Sequence, residues 1–166
     1  MEPPLIVTLE ADRASQDRFE AARRRWFPAD RNLVPAHVTL FHQMPGVSET
    51  EAIQRLGVAA AGAPLPFRVV APMRLGGGVA YRLDLPGGTA LRDRIGAGMD
   101  RTAQDRGGLR SHVTVQNKVS REVAAATYQG LAAGFAPWNG RMEALRLWRY
   151  LGGPWEAVGT FPFCDI

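Results

Sequence analysis

The sequence predicts an α+β fold of two similar lobes, with two antiparallel sheets flanked by helices and a central cleft between them. Strand-like and helix-like segments alternate along the 166 residues without a linker or low-complexity segment. The order of segments in the first half recurs in the second half. Each half also contains one strand with the tripeptide HVT, at 37–39 and 112–114, and this period of 75 residues suits a duplicated lobe rather than a solenoid repeat. We therefore expect one bilobal, pseudo-symmetric domain over 1–166.

The first half contains four strand-like and two helix-like segments. Apolar and β-branched runs predict the strands, and the glycine run 76–78 predicts a hairpin between the last two. Apolar residues at helical spacing predict the first helix, and Ser48 with Glu51 has the form of a capping box that begins the second. The predicted strands cover 4–10, 36–44, 66–74 and 78–85, and the predicted helices cover 12–26 and 48–61.

The second half repeats the order of helix, strand and helix and closes with an antiparallel strand pair. Gly107 and Gly108 are expected to end the first of these helices, and Ser120 to begin the second. The turn Gly152-Gly153-Pro154 joins the closing pair. The predicted helices cover 89–106 and 120–135, and the predicted strands cover 111–119, 141–151 and 155–163.

The composition is that of an ordinary globular domain. A hydrophobic fraction of 46% and a net charge of +4 exclude a disordered tail, and the modest positive charge is weak evidence for a polyanionic partner. No apolar stretch approaches the roughly 18–20 residues of a membrane span, and the N-terminus lacks the pattern of a signal peptide. The single cysteine, Cys164, permits no internal disulfide. We expect a cytoplasmic protein without membrane association or an obligate protein partner.

The two HVT tripeptides carry the functional signal, because two of the three histidines begin them. Side chains alternate along a strand, so His37 and Thr39 share one face roughly 7 Å apart, as do His112 and Thr114. An imidazole, with an ordinary pKa of about 6.5, both accepts and donates protons near neutral pH. A threonine hydroxyl donates hydrogen bonds to phosphate oxygens. Two such strands facing each other would place an acid and a base around one phosphorus atom, with no metal or cofactor required.

Other chemistries fit these residues less well. A zinc site would need His42 as a third ligand, but alternation places it on the opposite face from His37, and neither motif strand carries a carboxylate on its polar face. Ser111 adjoins His112 but faces the other way, and no G-x-S-x-G elbow occurs. A lone histidine in a strand is more often structural, and it is the duplication that favours a functional pair.

HVTL at 37–40 and HVTV at 112–115 resemble the paired H-x-T-x motifs of the two-histidine (2H) phosphoesterase superfamily. One branch of that superfamily contains the 2′-5′ RNA ligases and RNA cyclic phosphodiesterases. The resemblance spans nearly the whole chain, because the order of strands and helices also matches that bilobal fold. It implies that the two motif histidines are an acid/base pair and that the two motif threonines hydrogen-bond the phosphate.

The ligase branch often has an arginine shortly after the second motif, where this chain has Asn117 followed by Lys118. Strand alternation puts Gln116 and Lys118 on the face of His112 and Thr114, so both become candidates for phosphate binding. Lys118 either replaces the missing cation as a point charge or is a solvated lysine at the end of the strand.

Aromatic residues near the motifs are candidates for stacking on a nucleobase. Phe41 lies on the predicted face of the first motif, and Trp148 and Tyr150 share one face of a later strand. Tyr81 and Arg82 on the central hairpin are weaker candidates. Aromatic residues in strands are more often part of the core, and that alternative applies to each of them.

These implications define two functions. The first is a metal-independent phosphoesterase that hydrolyses, or reversibly ligates, a 2′,3′-cyclic phosphate or 2′-5′ phosphodiester in RNA or a nucleotide. Its substrate would be an RNA end or a small cyclic nucleotide, and either histidine could be the acid or the base. The second is a module that binds such an RNA end or cyclic nucleotide without turning it over.

Overall fold

The computed structural model describes residues 2–164, and this part of the chain contains seven strands and four α-helices. The strands are β1 (Leu5–Ala11), β2 (Val38–Phe41), β3 (Leu65–Arg74), β4 (Val79–Asp84), β5 (His112–Gln116), β6 (Trp138–Tyr150) and β7 (Trp155–Pro162). The helices are α1 (Arg13–Trp26), α2 (Glu49–Ala59), α3 (Gly88–Ile95) and α4 (Arg121–Ala133). The predicted α+β class is confirmed.

All seven strands belong to one antiparallel sheet, in which the order is β2-β1-β6-β3-β4-β5 and β7 also pairs with β6. The sequence predicts two sheets, and the structure joins them through the long strand β6. Residues 138–142 of β6 pair with β3 and residues 144–150 pair with β7, while β1 follows residues 142–149 on the other side. The prediction that the two halves arose by duplication stays a prediction.

Helix α3 is much shorter than the predicted helix 89–106. Gly96 ends it, and Gly98 adopts a positive φ of 74° that an α-helix does not continue through. The chain then forms a short 3₁₀ turn at Ala103–Asp105. Asp105 is buried there and accepts hydrogen bonds from the backbone N–H groups of His42 and Gln43 at 2.9 and 3.2 Å. This tertiary contact, which the local sequence does not reveal, turns the segment away from the helix axis.

The helices pack against the sheet around a shared hydrophobic core. Phe19 of α1 is buried among Phe67, Tyr81 and Trp138, with ring centroids 5.5–6.3 Å from its own. The helix begins at Asp12, whose carboxylate accepts the N–H of Ser15 at 2.9 Å. This packing fixes α1 across the sheet and carries its last turns toward the two motif strands. None of the helices in residues 2–164 has the length and hydrophobicity of a membrane span.

Candidate active site

The two HVT tripeptides lie at β2 and β5, at opposite ends of the strand order, yet one residue of each, His37 and Thr114, lines the same cavity of about 400 Å³. His112 and Thr39 are not among the residues that line it. His37, immediately before β2, lines the cavity together with Thr114 of β5 and Lys118 just beyond β5. Trp155, the first residue of β7, closes another side. The sheet therefore curves until its two edges approach each other, which produces the predicted central cleft.

Both motif histidines are held in the same way. Nδ1 of His37 lies 2.7 Å from the carbonyl oxygen of Pro35, and Nδ1 of His112 lies 2.6 Å from that of Arg110. A carbonyl oxygen only accepts hydrogen bonds, so Nδ1 must carry the hydrogen in each ring. In the neutral ring Nε2 then holds a free lone pair. Each half of the chain thus fixes one imidazole in the tautomer that can take a proton at Nε2.

Burial lowers the pKa of His37 to about 4. The hydrogen bond to Pro35 opposes this shift, while the nearby charges of Arg23, His112 and His42 add to it. The indole of Trp155 packs against the His37 ring with their centroids 5.1 Å apart. His37 is consequently neutral at physiological pH and restrained on two sides.

Thr114 and Lys118 both line the cavity, but different backbone conformations place them there. Thr114 lies on β5 and lines the cavity as the strand alternation predicts. Lys118 also lines it, but β5 has already ended at Gln116 and Lys118 adopts a left-handed φ of 59°. A non-glycine residue adopts that backbone at a cost, so a turn, not strand alternation, directs the chain at Lys118. Thr39 is half-buried and lies opposite Thr8 of β1.

Phe41 and Gln116 are predicted to face the site, and the structure shows that both predictions are wrong for the same reason. The pairing of β2 with β1 shifts register between Thr39 and Phe41, and the pairing of β5 with β4 shifts between Thr114 and Gln116. A one-residue shift turns the following side chain to the other face of the sheet. Phe41 is fully buried, and the amide of Gln116 is buried and donates to Thr127 Oγ1 at 2.7 Å.

The predicted stacking role of Trp148 is also wrong, because its ring is already occupied. Trp148 is buried, its indole N–H donates to Thr8 Oγ1 at 2.9 Å, and the guanidinium of Arg146 covers its face at 4.1 Å. Trp155 meets it edge-on at 5.9 Å. Tyr150 is exposed at the end of β6, and its stacking role stays a prediction.

The hairpin candidates lie on β4. Tyr81 is buried in the core against Phe19, so it cannot stack on a base. Arg82 is exposed and lies opposite His112 in the register of β4 with β5. Arg82 is therefore close to the second motif, whereas its hairpin neighbour belongs to the core.

Trp155 and Arg23 also line the cavity, although neither is among the site residues predicted from the sequence. Trp155 follows the Gly-Gly-Pro turn, and nothing in the sequence shows that this turn lies beside the first motif. Arg23 is buried and lines the cavity. A signal for it existed, since Phe19, Arg23 and Trp26 share the apolar face of α1, where a charged residue is unusual.

The third histidine, His42, has a different hydrogen-bond partner from the two motif histidines. His42 Nδ1 is 2.8 Å from Asp105 Oδ1, and the His42 side chain is largely exposed. Among residues 2–164, no group of three or more His, Cys, Asp or Glu side chains is arranged to hold a metal ion.

The chain is similar to one protein family and to several solved structures. The family model of the 2′-5′ RNA ligase superfamily matches residues 11–154. Curated protein sequences give no significant match. The protein TT0787 of Thermus thermophilus is 14% identical, with a TM-score of 0.64 over 98% of each chain.

Two further solved structures share the fold at similar distance. LigT of Escherichia coli, complexed with 3′-AMP, is 14% identical with a TM-score of 0.61, over 99% of this chain and 100% of LigT. Usb1 of Kluyveromyces marxianus is 14% identical with a TM-score of 0.51, over 97% of this chain and 98% of Usb1. At this identity the structural matches show a shared fold.

Proposed function

The chain belongs to the 2′-5′ RNA ligase superfamily, and from this premise we propose that it is a metal-independent phosphoesterase that opens 2′,3′-cyclic phosphates at RNA or nucleotide ends. The observation that carries the proposal is the pair of imidazoles, each fixed through Nδ1 to the carbonyl oxygen two residues earlier. Simple phosphate binding requires only donors, whereas this arrangement provides two groups that exchange protons at Nε2.

The lowered pKa of His37 supports a division of roles in hydrolysis. His37 is neutral at pH 7, so its Nε2 accepts a proton from water as the water oxygen bonds to phosphorus. The bond between phosphorus and one ribose oxygen then breaks, and protonated His112 donates its Nε2 proton to that oxygen. Exchange with solvent restores both rings. In ligation a 5′-hydroxyl would take the place of water with the same division of roles: His37 would accept its proton, and His112 would protonate the departing ribose oxygen.

The remaining cavity residues suit the phosphate and the base. The hydroxyl of Thr114 would donate to the non-bridging oxygens, and the Lys118 ammonium would balance their charge. Thr39 does not line the cavity, and its predicted bond to the phosphate is kept here as part of the proposal. Trp155 presents an aromatic surface for a nucleobase beside His37. Ligands of a structural neighbour agree with this chemistry, since Escherichia coli LigT has been solved with 3′-AMP, with ATP and with phosphate.

The test uses purified, chelator-treated protein and nucleoside 2′,3′-cyclic phosphates, with ring opening followed by chromatography. His37→Ala and His112→Ala are each expected to lower kcat/KM by about 10²–10⁴-fold, the usual contribution of one acid or base. His42→Gln is the matched control, because His42 pairs with Asp105, and it is expected to keep wild-type turnover.

Three outcomes would contradict the proposal. Wild-type turnover in both motif variants would rule out the two-histidine mechanism. Activity lost with the chelator and restored by a divalent cation would indicate metal catalysis. Saturable binding of the cyclic nucleotide without any product would indicate a binding module instead.

A further inference from the structure

Among the described residues, Arg23 is a buried positive charge without a salt bridge, and its guanidinium lies over the ring of Phe27 at 4.2 Å from the centroid. Only about 3% of the residue is exposed. Within residues 2–164, none of the ion pairs involves Arg23. Burial lowers the pKa of its guanidinium, and the charge of Glu20 offsets part of this shift. Burying an unpaired charge is costly, so a fold that keeps one requires an explanation.

The contacts of Arg23 join the two motif strands. Its Nη1 donates to the carbonyl oxygen of Thr114 at 2.8 Å, and its Nη2 donates to that of Val34 at 3.0 Å. Its Nε donates to the side-chain oxygen of Asn32 at 3.0 Å. All three acceptors are neutral, so they satisfy hydrogen bonds without cancelling the charge. The other N–H groups of the guanidinium have no acceptor among the described residues.

The cavity that Arg23 lines favours an anion. Arg23, Arg31 and Lys118 contribute positive charge to its lining and Asp30 contributes one negative charge, so the balance is +2 by these four side chains. His37 is neutral there at physiological pH, because burial lowers its pKa. A phosphate group in this cavity would meet a positive field that is strongest near the buried, poorly solvated guanidinium.

We propose that Arg23 is the fixed cation of the phosphate site, which aligns the two motif strands and balances the charge of a phosphate bound between them. Lys118 is exposed and carries its charge on a flexible stem, whereas the guanidinium of Arg23 is locked by three hydrogen bonds. The inference rests on the proposed function for the position of the phosphate. It adds a residue that lies outside both motifs and that belongs to the first helix.

The experiment measures binding of inorganic phosphate by calorimetry and by the rise in Tm, so that it needs no turnover. Arg23→Gln keeps amide donors but loses the charge, and Arg24→Gln is the matched control, an exposed residue on the same helix with the same change in net charge. Arg23→Gln is expected to weaken phosphate binding at least tenfold, and Arg24→Gln to leave it within about twofold. Arg23→Lys, which retains a charge without the fork, is expected to bind phosphate more tightly than Arg23→Gln.

The outcomes separate charge from structural support. Equal loss of phosphate binding in Arg23→Lys and Arg23→Gln would mean that only the three hydrogen bonds of the guanidinium matter and not its charge, which would overturn the proposal. Wild-type phosphate binding in folded Arg23→Gln would also overturn it. If Arg23→Gln does not fold, Arg23→Lys decides alone, since loss of phosphate binding in that folded, charged variant contradicts the proposal. A second readout is the pKa of His37, which is expected to rise when the charge at Arg23 is removed.

Failure of this inference is distinguishable from failure of the proposed function. Phosphate binding that depends on Arg23, in a protein that opens no cyclic phosphate, would support the role of Arg23 and contradict the proposed enzymatic function. Turnover that depends on His37 and His112, together with phosphate binding that does not depend on Arg23, would support the enzymatic function and contradict the role of Arg23.

Discussion

His37→Gln is expected to remove a large part of the acid sensitivity of the folded protein. The pKa of His37 is about 4 in the folded state, against about 6.5 in an unfolded chain. Between these values the unfolded state binds the proton more strongly, so folding is fully favoured above pH 6.5 and loses free energy as the pH falls toward 4. The difference of about 2.5 pKa units corresponds to at most about 3.4 kcal/mol, of which about 3 kcal/mol is lost by pH 4, since one pKa unit is about 1.4 kcal/mol.

The assay compares unfolding free energies of wild type and His37→Gln by urea titration between pH 4 and pH 7.5. Glutamine does not titrate, and the contributions of most other titrating groups are the same in both proteins and cancel. The unfolding free energy of wild type relative to that of the variant is therefore expected to fall by up to about 3 kcal/mol at pH 4. In thermal unfolding this equals a shift of up to about 10 °C for a chain of this size.

Direct titration provides the decisive check. The three histidines give three ring signals in an NMR spectrum, and single variants assign them. A His37 signal that titrates at pH 6.5 or above, or a free-energy difference independent of pH, would refute the reasoning. The acid limb of kcat/KM against pH is expected to follow the same group and to fall near pH 4.

Three further variants test the packing and the site. Trp155→Ala is expected to raise KM for a nucleoside cyclic phosphate about tenfold with a smaller change in kcat, and an unchanged KM would exclude base stacking there. Gly140→Ala places Cβ within 2.6 Å of three side-chain atoms and is expected to lower the free energy of unfolding in urea by about 1–3 kcal/mol. Gly134→Ala, with open space around it, is the control and is expected to stay within about 0.5 kcal/mol of wild type. Equal stability of the two variants would contradict this reasoning. Asp105→Ala leaves the backbone N–H of His42 without its acceptor and is expected to cost about 3 kcal/mol in the same assay, and a loss below about 1 kcal/mol would contradict the role of that contact.

The sequence predicts the elements well where local signals suffice. The capping box at Ser48 is confirmed, because its hydroxyl accepts the N–H of Glu51 at 3.1 Å. The hairpin at 76–78 is confirmed too, with Gly76 at a φ of 52°. The end of α3 is predicted too late, because Gly96 and the buried Asp105 together override a helical pattern that otherwise continues.

The site is harder to predict, because its errors depend on pairing between distant strands. Period-two alternation places Phe41 and Gln116 at the site, and the register shifts after Thr39 and Thr114 turn both into the core. No property of β2 or β5 alone reveals a shift that is defined by the partner strand. Trp155 is missed for the same kind of reason, since its place beside His37 follows from how the sheet curves.

The central position of the long strand β6 affects how the chain folds during its synthesis. It lies between β1 and β3, so hydrogen bonds at its two sides join segments synthesised early to one synthesised late, as in the contact of Trp148 with Thr8 across 140 positions. Until β6 leaves the ribosome, β1 and β3 expose unpaired edges that invite aggregation. Such distant pairings also slow folding. A nascent chain arrested before Trp138 therefore holds both HVT tripeptides but lacks the strand that joins the two halves of the sheet around the cleft.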